Sequence, residues 1–422
     1  MDIAGLYGKY AASDSALAKL ATSRIEALSQ RHRELFGTKA QAVFSTSGRT
    51  ELGGNHTDHN LGKVIAGSIN LDTIAAVHAT ADNLVTFASE GYSTISVDLS
   101  HLDVDASLFG TTSALISGVA FAFVKRGGKI GGFCANVASS VFKGSGLSSS
   151  AAIEVLIGTI FNNLYNEDRF STTELAIMGQ EAENIHFGKP SGLMDQIACA
   201  NGGVVGIDFL NPSSPIITPI AVDFADYGYN LVITTTGGNH ADLTADYASI
   251  PQEMKSVAAL FGKSSLRDVD ENSFFAEIGS LRSKLGNDRA ILRAYHYFEE
   301  NKRVDAMVQA LENRDFSSYL SLVTESGSSS FRYLQNIYSP SSACEQGIAL
   351  AYAMTESFLG SSDPTVRMTG AFRVQGGGFA GTLEAYIPIE RTADYFSHME
   401  KLFGKGCCTV LAIRNLPTTR IC

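Results

Sequence analysis

Gly144-Ser145-Gly146-Leu147-Ser148-Ser149-Ser150-Ala151 leads directly into a stretch in which Ile153, Leu156, Ile157, Ile160, Phe161 and Leu164 recur at i, i+3, i+4, i+7, i+8 and i+11, the spacing of one face of an amphipathic helix. The three serines stand where such a helix takes its N-cap. Glycines let backbone N–H groups approach an anion, the helix N-terminus adds partial positive charge, and hydroxyls bond phosphate oxygens or ligate Mg2+. The segment therefore has the make-up of a phosphate cradle. It is not a Walker A loop, since no lysine follows the glycines, nor a dinucleotide fingerprint. Taken alone it reads equally as a serine-rich cap joined to a flexible turn.

Around this turn the pattern alternates. A polar, helix-like segment opens the chain over 13–36, and β-patterned runs follow at 69–79, 84–88 and 94–99, the last with strict polar–apolar alternation. Beyond the first helix, periodicity predicts a helix over 172–185, ending before Gly188 and Pro190, strands over 202–209 and 231–236, helices over 288–313 and 317–334, and strands over 371–374, 382–388 and 409–414. Strands and helices mix without a regular βαβ rhythm, so the expected class is α+β rather than a doubly wound parallel sheet. A length of 422 residues suggests two domains. The Pro/Ser-rich stretch 211–215 is the clearest turn cluster in the middle of the chain and sets the expected division at 1–213 and 214–422, with the last strands free to pack back on the first part.

Composition narrows the class of partner. With 32 Lys plus Arg against 43 Asp plus Glu, the net charge of −11 argues against a non-specific grip on nucleic acid or an anionic membrane. Six cysteines without a CxxC pair indicate neither a disulfide framework nor a zinc ribbon. The longest apolar stretch, 114–124, is too short to span a bilayer. A cytoplasmic monomer that meets small molecules is the expected state.

Two further segments carry chemistry. In Gly48-Arg49-Thr50-Glu51-Leu52-Gly53-Gly54-Asn55-His56-Thr57-Asp58-His59-Asn60, charged, amide and imidazole groups crowd around three glycines. That density suits a pocket for a polyhydroxylated ligand better than a core, with a solvated loop as the bland alternative. His56 and His59, lacking a third ligand nearby, read as hydrogen-bonded loop residues rather than a metal site. In the segment from Glu183 to Gln196, Asp195 stands between Met194 and Gln196-Ile197; it is a paired core carboxylate or a site group, because an unpaired buried carboxylate is expensive. The run Gln375-Gly376-Gly377-Gly378-Phe379-Ala380-Gly381 cradles a second phosphate face or merely permits tight turns.

Together and in this order the segments resemble the signatures of the GHMP kinase superfamily, and within it those of the galactokinase family. That family opens with Gly-Arg-Val-Asn-Leu-Ile-Gly-Glu-His-Thr-Asp-Tyr-Asn, carries Gly-Leu-Ser-Ser-Ser-Ala, and ends on a Gly-Gly-Gly-Phe-Gly-Gly run, matched here by Gly376 to Gly381. Pro190-Ser191-Gly192-Leu193-Met194-Asp195-Gln196 is similar to its Pro-Cys-Gly-Ile-Met-Asp-Gln, and the likeness continues through His240 to Tyr247 and the stretch 313–326. The resemblance implies an N-terminal domain like ribosomal protein S5 domain 2, a C-terminal ferredoxin-like domain, and an active site in the cleft between them. It also implies transfer of the γ-phosphoryl of MgATP to the anomeric hydroxyl of galactose. Asp195 would be the base and Arg49 its stabilising neighbour, and both would face the sugar with Asn55, His56, Asp58 and Tyr247. The ATP loop would be Gly144, Ser145, Gly146, Leu147, Ser148, Ser149 and Ser150, and Ser150 with Glu183 would hold Mg2+.

The departures bear on the substrate. Where the family has Asn and Glu four residues apart, this chain has Glu51 and Asn55, and Ile and Tyr of the motif have become Gly53 and His59. The family's glutamate looks toward the C6 hydroxyl. A neutral amide in its place would tolerate a C6 carboxylate, so galacturonate is an alternative to galactose. A non-catalytic sugar and ATP sensor is a further alternative; loss from the serine loop or of the base would announce it, and Ser148-Ser149-Ser150-Ala151, Glu183 and Asp195 are all present.

Overall fold

A computed structural model of the chain describes residues 2–8, 15–141, 146–237, 243–342, 344–360 and 368–422. The strands are β1 (Ala42–Gly53), β2 (Lys63–Ala79), β3 (Leu84–Ser89), β4 (Ile95–Asp98), β5 (Phe133–Ser139), β6 (Val204–Asp208), β7 (Ile216–Ile220), β8 (Tyr229–Thr235), β9 (Ala371–Val374), β10 (Thr382–Pro388), β11 (Cys408–Leu411) and β12 (Thr419–Arg420). The first sheet runs β12-β1-β2-β5-β3-β4, with β6 and β7 continuing from the other half of the long β2. Only the β3–β5 pair is parallel among these ladders. The second sheet is antiparallel, in the order β11-β8-β10-β9.

The helices that matter below are α1 (Ser15–Phe36), α2 (Thr112–Lys125), α3 (Ser149–Asn166), α4 (Thr172–Ile185), α5 (Met194–Asn201), α6 (Thr244–Leu260), α7 (Asp288–Glu312), α8 (Phe316–Ser329), α9 (Gly347–Leu359) and α10 (Thr392–Phe403). In the second sheet helices intervene between β8 and β9 and between β10 and β11, so the order 4-1-3-2 is that of a split βαβ, ferredoxin-like unit. The expected α+β class and its ferredoxin-like second half are thus in place.

Three apolar clusters tie the layers together. Phe44, Phe87, Phe133 and Val137 of the first sheet bury against Phe123 of α2 and Leu156, Ile160 and Phe161 of α3. Val155 and Ala152 on another side of α3 pack on Ile197 and Ala198 of α5 and Val205 of β6. Leu52 and Ile65 of the first sheet share a core with Leu231 and Ile233 of the second and with Met307 and Tyr319 from α7 and α8. The cleft described below therefore lies between elements that are packed to one another directly.

Two expectations change. The first sheet does not end at residue 213, because β7 pairs antiparallel with β6 through Ile220; the Pro/Ser-rich turn is the bend of a hairpin inside the first layer. The return of the last strand is not among the changes: β12 comes back to pair with β1. The helices α2, α6, α9 and α10 were also not expected. α6 carries Pro251 in its interior and α2 is apolar on nearly all sides, so neither shows a clean helical stripe. Among the described residues no helix is long and apolar enough to cross a membrane.

Candidate functional site

The segment 48–60 begins inside a strand rather than in a loop. All 12 residues of β1 are buried, and the pairing of β1 with β2 shifts register between Ser47 and Arg49 and again between Glu51 and Gly53. Such bulges re-aim side chains, and the stretch they bracket holds Arg49, Thr50 and Glu51. Buried charge is tolerable here because each group has a partner distant in sequence: Arg49 meets Asp195, Thr50 donates to Glu384, and Glu51 meets Arg373 at 2.7 Å.

Asp195 lies in the first turn of α5 and keeps 28% of its side-chain surface open. Arg49 Nε donates to Oδ1 at 2.7 Å, Ser148 Oγ donates to Oδ2, and the far end of the guanidinium reaches the Gly146 carbonyl. Burial pushes the Asp195 carboxyl up, but the Arg49 charge and the hydrogen bonds from Arg49 and Ser148 outweigh it, so the group is held below its ordinary value. Ser148 is the N-cap of α3, yet its hydroxyl caps nothing. Its backbone is left-handed at φ +60°, a costly conformation for serine, and the hydroxyl is spent on Asp195 instead. The expected serine cap is thus replaced by a carboxylate clamp.

Next to the clamp, Ser150 Oγ donates to Glu183 Oε1 at 2.9 Å, and Lys189 Nζ reaches the same oxygen at 2.9 Å. Ser191 Oγ and Gln196 Nε2 donate to Glu183 Oε2 at 2.6 and 3.0 Å. Gln196 also bonds the fully buried Glu154 at 2.9 Å, whose carboxyl is pushed well above its usual range by burial and then by Glu183. A hydroxyl and a carboxylate oxygen in contact are the hard donors that Mg2+ takes beside phosphate and water, so this pair fits the ion.

The remaining expected groups frame a cleft whose wall includes Arg49, Glu51, Asp58, Lys189, Asp195 and Gly376. His56, His59 and Tyr247 form one aromatic corner of it, with ring centroids 5.0 to 5.8 Å apart. The His56 ring bonds the Gly377 carbonyl through Nε2 at 2.9 Å, and burial followed by His59 pushes its pKa down to about 3, so the ring is neutral. Burial, then Asp58, raises the Tyr247 phenol well above its ordinary value. Gly192 is required by space: a Cβ there would overlap the Asp58 carboxylate.

Asn55 is the correction. Expected on the sugar, it is fully buried and is not part of the cleft wall. Its Nδ2 donates to Glu51 Oε1 at 2.9 Å and to the Gly376 carbonyl at 2.8 Å, while its Oδ1 accepts from Asn336 at 2.7 Å and Ser330 at 3.3 Å. Of the glycine run 375–381, Gly376 and Gly377 are part of the cleft wall, and the Gly377 carbonyl accepts from Asn336 at 3.2 Å.

Of the expected ATP loop, Gly144 and Ser145 lie outside the described residues, as do 238–242. Gly146 turns its carbonyl to Arg49, Leu147 is packed in the shared core, and Ser149 and Ser150 open α3. Sequence reading missed Lys189, Ser191 and Arg373, whose roles depend on partners that no local pattern announces.

Residues 114–203 match the family of the GHMP kinases N terminal domain, and residues 30–79 match the galactokinase galactose-binding signature. A galactokinase of Streptomyces coelicolor is 31% identical over 357 residues, covering 84% of this chain and 86% of its own length. A galactokinase of Streptococcus suis is 29% identical over 385 residues, covering 90% and 93%. The crystal structure of Lactococcus lactis galactokinase complexed with galactose superposes with a TM-score of 0.79 at 22% identity, over 94% of this chain and 100% of that one. With the galactose-binding signature, the kinase domain and these relatives in agreement, the chain belongs to the galactokinase family within the GHMP kinases and is an ATP-dependent sugar kinase.

Proposed function

We propose that the chain transfers the γ-phosphoryl of MgATP to the C1 hydroxyl of galactose, giving galactose 1-phosphate and ADP. The observation that carries the reading is the Asp195 carboxylate, held on Oδ1 by Arg49 and on Oδ2 by Ser148, and open to a cleft with Asp58, His56 and Tyr247 on its wall. The relatives from Streptomyces coelicolor and Streptococcus suis, both galactokinases, support the sugar.

The chemistry follows from position and charge. Phosphoryl transfer passes through a loose transition state, so a base need only orient the attacking hydroxyl and take its proton late. A carboxylate kept ionised by Arg49 suits that task even though its basicity is modest. Arg49, one guanidinium away from the same point, stabilises charge on the transferred group. Ser150 and Glu183 would hold Mg2+, which supplies neutralisation of the phosphate oxygens. Asp58 and Tyr247 bond sugar hydroxyls, and neutral His56 closes the corner.

Galacturonate was the alternative while Asn55 stood for the glutamate beside C6. With Asn55 behind the wall, the neutral amide on which that alternative rested does not face the cleft, and the Glu51 side chain is on the wall instead. ADP release coupled to an indicator enzyme, with MgATP against galactose, galacturonate, N-acetylgalactosamine and arabinose, tests the reading. Galactose turned over fastest supports it; a preference for galacturonate, or no turnover on any sugar with binding retained, refutes it.

A further inference from the structure

The reciprocal exchange of Glu51 and Asn55 leaves a carboxylate in a defined place. Glu51 Oε1 is occupied, accepting from Arg373 at 2.7 Å and from Asn55 Nδ2 at 2.9 Å, and Arg373 also holds the Glu51 backbone carbonyl at 2.6 Å. Oε2 has no hydrogen-bond partner among the described residues and is not among the sealed polar atoms, while Glu51 is part of the cleft wall. One oxygen is thus pinned and the other is left to the cleft. The side chain as a whole is 2% exposed, so Oε2 has little water to exchange for a ligand, and an acceptor so poorly solvated gains from a donor supplied by the substrate.

Resting on the proposed function, we infer that Glu51 is a specificity-determining residue: its Oε2 accepts a hydrogen bond from a sugar hydroxyl other than the one phosphorylated, and Asn55, moved out of the cleft, fixes its rotamer. The carboxylate is delivered to the cleft wall from β1 rather than from the turn that follows it. The bulge between Glu51 and Gly53 is where that approach is set.

The Glu51→Gln variant isolates the point. An amide keeps an oxygen at the Oε1 position for Arg373 and Asn55, exchanges the cleft-facing oxygen for a donor, and removes the charge that pairs with Arg373, a loss common to every sugar. kcat/KM is measured for galactose, its 2-, 3-, 4- and 6-deoxy derivatives and galacturonate, with the unaltered chain and the variant. Ratios between sugars within one preparation are independent of the folded fraction. The expected result is a loss of roughly tenfold to a hundredfold for galactose. One deoxy sugar should be spared that loss because it lacks the hydroxyl concerned, and galacturonate should gain relative to galactose. An equal fall on every sugar, or no change, overturns the inference while leaving the kinase reading intact. No turnover by the unaltered chain on any of the sugars overturns both.

Discussion

Replacing Arg49 by Met removes the guanidinium and keeps most of the side chain's bulk, leaving Asp195 Oδ1 without its cation. A unit charge about 4 Å away in an effective dielectric near 20 is worth ~4 kcal/mol, or ~3 pH units at about 1.4 kcal/mol each. Because 28% of the Asp195 side chain is open to the cleft, solvent screens part of this, and carboxylates beside an arginine are shifted by roughly 1 to 3 units. The sign follows from the direction in the unaltered chain, where Arg49 holds the carboxyl below its ordinary value against burial. With Arg49 gone, burial acts with less opposition, the carboxyl titrates at higher pH, and activity is lost sooner as pH falls. The acid limb of kcat/KM for galactose, followed by ADP release from about pH 3 to about pH 9, should move up by about 1 to 3 units. Arg49→Lys retains charge but offers one ammonium to both Asp195 and the Gly146 carbonyl, so its limb should stay while its rate drops. A Met variant with measurable activity and an unmoved limb would refute the idea that Arg49 sets the ionisation of Asp195.

Three other outcomes are expected. Ser150→Ala and Glu183→Gln should each raise the Mg2+ concentration for half-maximal rate, by roughly tenfold or more, read from Mg2+ titrations at fixed ATP; unchanged titrations would remove the pair as ligands. Gly192→Ala places a methyl group on the Asp58 carboxylate and should raise the KM for galactose several-fold with little change in the KM for ATP, whereas an equal effect on both would point to general distortion. Arg373→Met leaves Glu51 and Glu384 buried without their cation, a loss of about 3 to 5 kcal/mol, seen as a lower midpoint in denaturant; an unchanged midpoint would mean that the network is not stabilising.

Local chemistry was legible and tertiary pairing was not. The period of Ile153 to Leu164 gave α3 nearly to the residue, and the alternation at 94–99 gave β4. The motif residues Arg49, Asp58, Asp195 and Tyr247 are brought to one cleft, and Ser150 to Glu183 beside it. What the pattern concealed was burial. Arg49-Thr50-Glu51 reads as part of a polar pocket loop because nothing nearby pairs it; its partners Asp195, Glu384 and Arg373 come from far along the chain and hold it in a buried strand. Asn55 misled for the same reason, since a free amide suits a ligand and only the fold shows all of its groups already used. The proline and serine cluster at 211–215 marks a turn correctly, but a turn within a hairpin and a turn between domains have the same composition.

Asp195→Asn bears most directly on how the cleft works, because the amide keeps the shape of the side chain and loses the charge that accepts the proton. Galactose binding by calorimetry and ADP release with MgATP should be measured on the same preparations of the variant and the unaltered chain. Binding within a few-fold of the unaltered value with turnover lowered by roughly 10²- to 10⁴-fold is the expected result. A variant that still phosphorylates galactose near the original rate would contradict the assignment of Asp195 as the base.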